Sequence, residues 1–193
     1  MTAAHDNSGH AAAGVALPTP DLAHRPLQLR LFPDPVLRML AQPLDRFGTA
    51  VEALARDMLA LMRLRQGIGL AAPQIGLAVR LIVADVGKGT VCLVNPKLAP
   101  LAAPEVAAEG CLSLPGVSLE IERAAAVEVR GFDPSGQRRH FTARGLLARV
   151  LQHEVDHLDG ILIIDRGRAV PNNQPPKVGQ ADEPLFRLRN PLL

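Results

Sequence analysis

The chain has 193 residues, the size of one domain with tails, and 48% of them are hydrophobic, enough for a real core. Aromatic residues make up only 3%, with no Trp and no Tyr, so the core is aliphatic and a base-stacking nucleic-acid binder is disfavoured. The formal net charge is +2 and no Lys/Arg run marks a basic patch.

Residues 1–26 are rich in Ala, Pro, His and Gly without apolar periodicity and read as a mobile extension. No basic segment precedes Arg25, and the apolar run that includes Val15 and Leu17 is short and mostly Ala, unlike an export signal. Asp6 and Asp21 argue against an organellar transit peptide, and no apolar stretch approaches the roughly 20 residues that span a bilayer. The expectation is a cytoplasmic protein. The run Phe32-Pro33-Asp34-Pro35 signals a turn.

Residues 49–64 read as an amphipathic scaffold helix. Val51, Leu54, Ala55, Met58, Leu61 and Met62 recur at helical spacing, and Thr49 followed by Glu52 fits a capping box. The next segment, Gly67-Ile68-Gly69-Leu70-Ala71-Ala72-Pro73-Gln74, holds two glycines and a proline and is a poor helix. Residues 80–86 and 90–94 read as two strands joined by a glycine turn. Cys92, alternating with Val91 and Leu93, reads as a small buried hydrophobe. Residues 97–108 are Ala/Pro-rich and read as a loop. A second hairpin runs through residues 127–132 and 138–142 around Asp133-Pro134-Ser135-Gly136. Residues 145–158 form a second helix closed by Gly160, and residues 161–164 are a short β-branched run. The stretch 169–193 is Pro-rich and reads as an irregular tail, leaving residues 27–168 as the folded domain.

The second helix carries the chemistry. In Gln152-His153-Glu154-Val155-Asp156-His157-Leu158 the two histidines lie about 40° apart on the helix surface, so both rings reach one point. Glu154, about 100° round from His153, can reach a water on the same ion. Leu146, Leu147, Val150, Leu151 and Leu158 share one broad arc with these three polar residues, while Arg149, Gln152, Asp156 and Asp159 fall on the other side. Polar groups on the packing face are costly unless bound, and a metal ion resolves the cost for all three. The spacing therefore points to a metal on His153 and His157 with Glu154 as general base.

A catalytic site of this kind takes three protein ligands and keeps one position open. His5, His10 and His24 lie in the extension and His140 in a hairpin, leaving a carboxylate or a cysteine. Cys111 stands out, because it sits in Glu109-Gly110-Cys111-Leu112-Ser113-Leu114-Pro115-Gly116, where Gly110 permits close approach to something bulky.

Together, the segments Gly67 to Gln74, Glu109 to Ser113 and Gln152 to Leu158 resemble the three signature motifs of peptide deformylase, in order and at the family's spacing. The resemblance covers roughly residues 28–166. It implies an α+β fold with antiparallel β-sheets around a central HExxH helix. It implies one divalent metal on Cys111, His153 and His157, with Fe²⁺ expected and Zn²⁺, Ni²⁺ or Co²⁺ able to replace it in purified protein. It assigns catalysis to Glu154 as base, with the Gln74 side chain and the Leu112 backbone N–H contacting the substrate oxygen. Gly69 would meet the substrate backbone, and Ile68 and Val150 would line a methionine pocket. The activity implied is removal of the N-formyl group from the N-terminal formyl-methionine of new proteins, releasing formate. The implied partners are N-formylmethionyl peptides of nascent chains. The near-neutral charge leaves room for no more than a weak ribosome contact, and neither a membrane nor a specific nucleic acid is expected. The extension lies outside the family core, and the long C-terminal helix of many members is not evident in the tail. Arg149 falls on the polar arc; at the rim of the substrate cleft it would instead bear on specificity.

Two other readings were weighed. An HExxH peptidase needs a third His or Glu downstream of the helix, where this chain has no His and its acidic residues form no ligand motif. A non-catalytic relative would be expected to lose Glu154, Gln74 or Cys111, and all three are present.

Overall fold

The computed structural model describes residues 27–169. Its elements are α1 (Thr49–Leu64), β1 (Gly69–Ala71), β2 (Leu81–Asp85), β3 (Thr90–Pro100), β4 (Pro104–Cys111), β5 (Leu114–Ala124), β6 (Ala126–Phe132), β7 (Arg138–Arg144), α2 (Gly145–Leu158), α3 (Ile163–Arg166) and β8 (Arg168–Ala169). The strands form two antiparallel sheets, one in the order β1-β2-β3-β6-β7 and one in the order β4-β5-β8. The α+β class with antiparallel sheets is the one the sequence implied. The extension 1–26 and the tail from residue 170 lie outside the described residues.

Strand β2 explains the layering. Leu81 and Val83 point to one face and Ile82 and Ala84 to the other, and all four are buried. A strand covered on both faces reads as a continuous apolar run. On the first face sits α1, whose Val51, Met58 and Met62 join Leu70, Leu81, Val83 and Val94 in one core. On the second sits α2, whose Ala148, Leu151 and Leu158 join Ile82, Ala84, Leu93, Val127, Val129 and Ala143. Burying each such leucine contributes about 1.5–3 kcal/mol. A third, smaller core of Leu37, Leu114, Ile121, Leu162 and Ile163 lies under the second sheet.

Four local expectations are corrected. Helix α1 is capped by Gly48 at φ 103° with no side-chain cap hydrogen bond, so Thr49 and Glu52 make no capping box. Residues 97–108 are not a loop: β3 continues to Pro100 and β4 starts at Pro104. Nearly all of β4 is exposed, so it lacks an apolar alternation and is held by pairing with β5. The β-branched run ends in the helical turn α3, where the Asp165 carboxylate accepts from the Leu162 N–H at 2.7 Å. Finally, the polar arc of α2 is drawn inside except at Asp159, which is exposed. Gln152 hydrogen-bonds the backbone N–H and C=O of Ala124, and Asp156 is buried against Arg123. The helix is packed between the two sheets, so both of its faces are interior. Its closure at Gly160 is as expected, with φ 72° and a Cβ position only 2.8 Å from the Arg38 carbonyl oxygen.

Candidate active site

Three elements meet at the C-terminal half of α2. The helix presents His153, Glu154 and His157. Strand β4 ends at Cys111, where the pairing with β5 shifts register between Gly110 and Cys111. After β1 the chain makes a tight 3-10 turn over Ala72–Ile75 that buries Gln74.

The ligand-type atoms of Cys111, His153 and His157 all lie within 4.8 Å of one another. The Cys111 sulfur is 3.3 Å from His157 Nε2, and the two imidazole rings stand edge to face with centroids 5.0 Å apart. His153 Nδ1 is 3.0 Å from a Glu109 carboxylate oxygen, which fixes the ring and leaves Nε2 for a ligand. The Gln74 amide is oriented by accepting from the Ala71 N–H at 2.8 Å. Its NH₂ donates to Ser113 Oγ at 3.1 Å and lies 3.7 Å from the Cys111 sulfur.

Glu154 is 3% exposed, and its Oε2 has no hydrogen-bond partner among the described residues; neither does Nδ1 of the buried His157. Burial pushes the Glu154 carboxyl up to about 7, reinforced by Glu109 and Asp156 and opposed by His153 and Arg123. Burial also works against a charge on His153, but hydrogen bonds to Cys111 and Glu109 and the nearby Glu154 outweigh it and raise its pKa to about 10. His157 is driven well below the usual imidazole value by burial, then by the charges of His153 and Arg123. A thiolate and two imidazoles are a fitting donor set for a divalent metal ion.

A cleft of about 460 Å³ opens onto this cluster. Ile68, Gly69 and Val150 line it, together with Gln74, Leu112 and Glu154. Ile68 is exposed at its mouth and Val150 is buried in its wall. Gly69 has a specific reason to be glycine: a Cβ there would stand 2.7 Å from Val150 Cγ1 and collide with the Glu154 carboxylate. Arg149 also lines the cleft, but its guanidinium is tied to Glu109 at 2.8 Å and to the carbonyls of Ile121 and Glu105 at 2.9 and 2.6 Å.

Sequence reasoning missed the ion-pair group behind His153. Arg123, 5% exposed, donates two hydrogen bonds of 3.0 Å to Glu109 and a third to Asp156, which also binds Arg166. Burial opposes the charge of Glu109, but His153 and Arg123 outweigh it and depress its pKa to about 2. Strand alternation held the signal: Arg123 shares a face with Ile121, which is wholly buried.

A buried acid beside a Cys/His/His cluster at the end of an HExxH helix defines a metallohydrolase. The sequence model of polypeptide deformylases matches residues 26–173. A peptide deformylase of Dictyoglomus thermophilum is 43% identical over 139 residues, covering 72% of this chain and 91% of the relative. The crystal structure of peptide deformylase from Thermotoga maritima superposes with a TM-score of 0.73 at 42% identity, covering 75% of this chain and 99% of that one. A peptide deformylase from Synechococcus elongatus in complex with actinonin gives a TM-score of 0.71 at 42% identity, covering 75% and 83%. The chain belongs to the polypeptide deformylase family.

Proposed function

We propose that the chain removes the N-formyl group from the N-terminal formyl-methionine of nascent proteins, using a divalent metal held by Cys111, His153 and His157. The observation that carries this reading is the convergence of those three donors with the Glu154 carboxylate and the Gln74 amide on one cleft. Family membership supports metal dependence; a thiolate with two imidazoles suits Fe²⁺, Zn²⁺, Ni²⁺ or Co²⁺ alike, and the family resemblance favours Fe²⁺ as the working ion.

When bound, the ion supplies Lewis acidity toward the formyl carbonyl and acidifies water. Glu154 accepts the proton of the attacking water and later delivers it to the departing amine, while the acyl fragment leaves as formate. Its burial suits it to both halves, because a carboxyl raised toward neutrality takes and returns a proton near working pH. The Gln74 amide and the Leu112 N–H donate to the carbonyl oxygen as negative charge develops there; one such donor typically contributes about 10²–10³ in rate. Gly69 lets the substrate backbone run beside Glu154, and Ile68 and Val150 receive the methionine side chain.

No helix among the described residues is long and apolar enough to cross a membrane. A cytoplasmic setting with at most a weak ribosome contact fits this function. The direct experiment is formate release from a formyl-Met peptide by protein purified without oxygen, against an acetyl-Met control. Turnover of the formyl peptide alone is expected. Absence of formate release from metal-replete protein would overturn the assignment.

A further inference from the structure

Helix α1 packs on the outer face of the first sheet over β1, β2 and part of β3. Over β3, β6 and β7 that face carries cations. Lys97 pairs with Arg130, and Arg130 with His140, so three basic residues lie side by side across three neighbouring strands, all exposed. Arg138 lies two residues along β7 on the same face and is also exposed. Adjacent strands are about 4.8 Å apart, and like charges placed directly opposite destabilise a sheet. These residues border a groove of about 870 Å³, whose rim also includes Arg80 and Arg139.

The local acids do not neutralise the groove. Glu128 serves both Arg130 and His140, at 2.9 and 2.7 Å. Asp159 holds Arg80 at 2.7 Å and Asp133 reaches Arg139 at 4.0 Å. Among the described residues Lys97 and Arg138 make no ion pair, so five Lys/Arg cations meet three carboxylates. The chain as a whole is nearly neutral, and the short basic run Arg138-Arg139-His140 marks only one edge of this face. The fold adds Arg130 across the hairpin and Lys97 from β3.

We propose that the outer face of β3, β6 and β7 docks the phosphodiester backbone of an RNA, with Lys97 and Arg138 neutralising phosphates. Charge complementarity carries the choice of a polyanion. The recessed shape favours a backbone ridge over a flat bilayer. A bilayer would also call for protruding apolar side chains, whereas Phe132 in this groove is half-buried and packs against Phe47, with ring centroids 5.1 Å apart and planes tilted by 46°. Val127, Val129 and Ala143 on the opposite face of the same strands pack with α2, so a docked RNA would leave the cleft at Glu154 open. The inference does not depend on the chemistry assigned to that cleft.

The test measures anisotropy of a labelled single-stranded RNA of about 20 nucleotides with the full metal-loaded chain over a salt series. Vesicles of phosphatidylcholine with phosphatidylserine are the second probe. Each phosphate contact contributes about 0.7 log unit of affinity at about 0.1 M salt. Lys97→Ala with Arg138→Ala is therefore expected to weaken RNA binding about 20-fold and to lower the log–log salt slope by roughly 1.4. Arg56→Ala with Arg65→Ala removes the same charge from exposed positions on α1 and just past its end, and is expected to change binding little. Turnover of a short formyl-Met peptide stays unchanged in both pairs, which also reports intact folding. Equal RNA affinity of the two pairs, no RNA binding at about 0.1 M salt, or capture by the vesicles without RNA binding would each overturn the proposal.

Discussion

Helix α2 borders two buried polar clusters that differ in one respect. On the side of Arg123, the carboxylates of Glu109 and Asp156 are matched by arginine or histidine donors. On the side of Cys111, Glu154 Oε2 and His157 Nδ1 are buried without partners among the described residues. Desolvating a polar atom without a hydrogen bond costs about 1–3 kcal/mol. The first cluster is fully paired, whereas the second leaves the Glu154 carboxylate unpaired beside the cleft.

The largest contrast is expected from Glu154→Ala, which removes the proposed proton carrier and leaves Cys111, His153 and His157 in place. Formate release should fall about 10²–10⁴-fold with metal content unchanged, measured by turnover and elemental analysis. Cys111→Ser should do the reverse in order, losing metal first and activity with it. Near-normal turnover in the first variant, or full metal content in the second, removes the corresponding role.

Arg123→Met tests the matched cluster. It removes the donor shared by two buried carboxylates, while Glu109 keeps Arg149 and His153 and Asp156 keeps Arg166, so a loss of about 1–3 kcal/mol is expected. The readout is chemical denaturation of metal-loaded protein, and a loss below about 1 kcal/mol would mean that the network is ornamental to stability. Gly69→Ala sits between the clusters in kind: it preserves every charge and displaces the Glu154 carboxylate. An activity loss near 10²-fold is expected, as for other small misplacements of a reacting group, with thermal unfolding little changed. The smallest effect concerns pH. Glu109 has its pKa depressed from about 4.5 to about 2, so its contribution to stability is present above its ordinary value and is lost as pH falls from about 4.5 toward 2. Glu109→Gln should flatten that limb in an acid titration followed by circular dichroism; an unchanged acid limb would count against the pairing.

The two clusters were unequally legible from sequence. The reactive one could be read because His153, Glu154 and His157 sit within one helical turn or so, where spacing alone sets their geometry. Cys111 stood out through its glycine and proline neighbours, although it is 46 residues from His157. The matched cluster joins Glu109, Arg123 and Asp156 from two strands and a helix, and no local rule predicts which charges meet across such gaps. The fold divides along the same line. Hairpins with Gly-rich or Asp-Pro turns were legible, whereas β4 was not, since its exposed Pro104, Glu105, Val106, Ala107 and Ala108 carry no burial pattern. Asp156 was assigned to a solvated arc because a helical wheel assumes one dry face, and α2 has two.

Cys111 has a further consequence through its place at the end of β4. It belongs to the second sheet, while Gln74 follows the first strand of the other sheet and the histidines lie on the helix between them. Neither sheet alone holds a complete set of reactive groups. In refolding, the recovery of turnover must therefore wait for the two halves to dock, long-range closure being slow relative to local hairpins. A chain with either half still loose lacks the assembled site, so turnover returns only with docking.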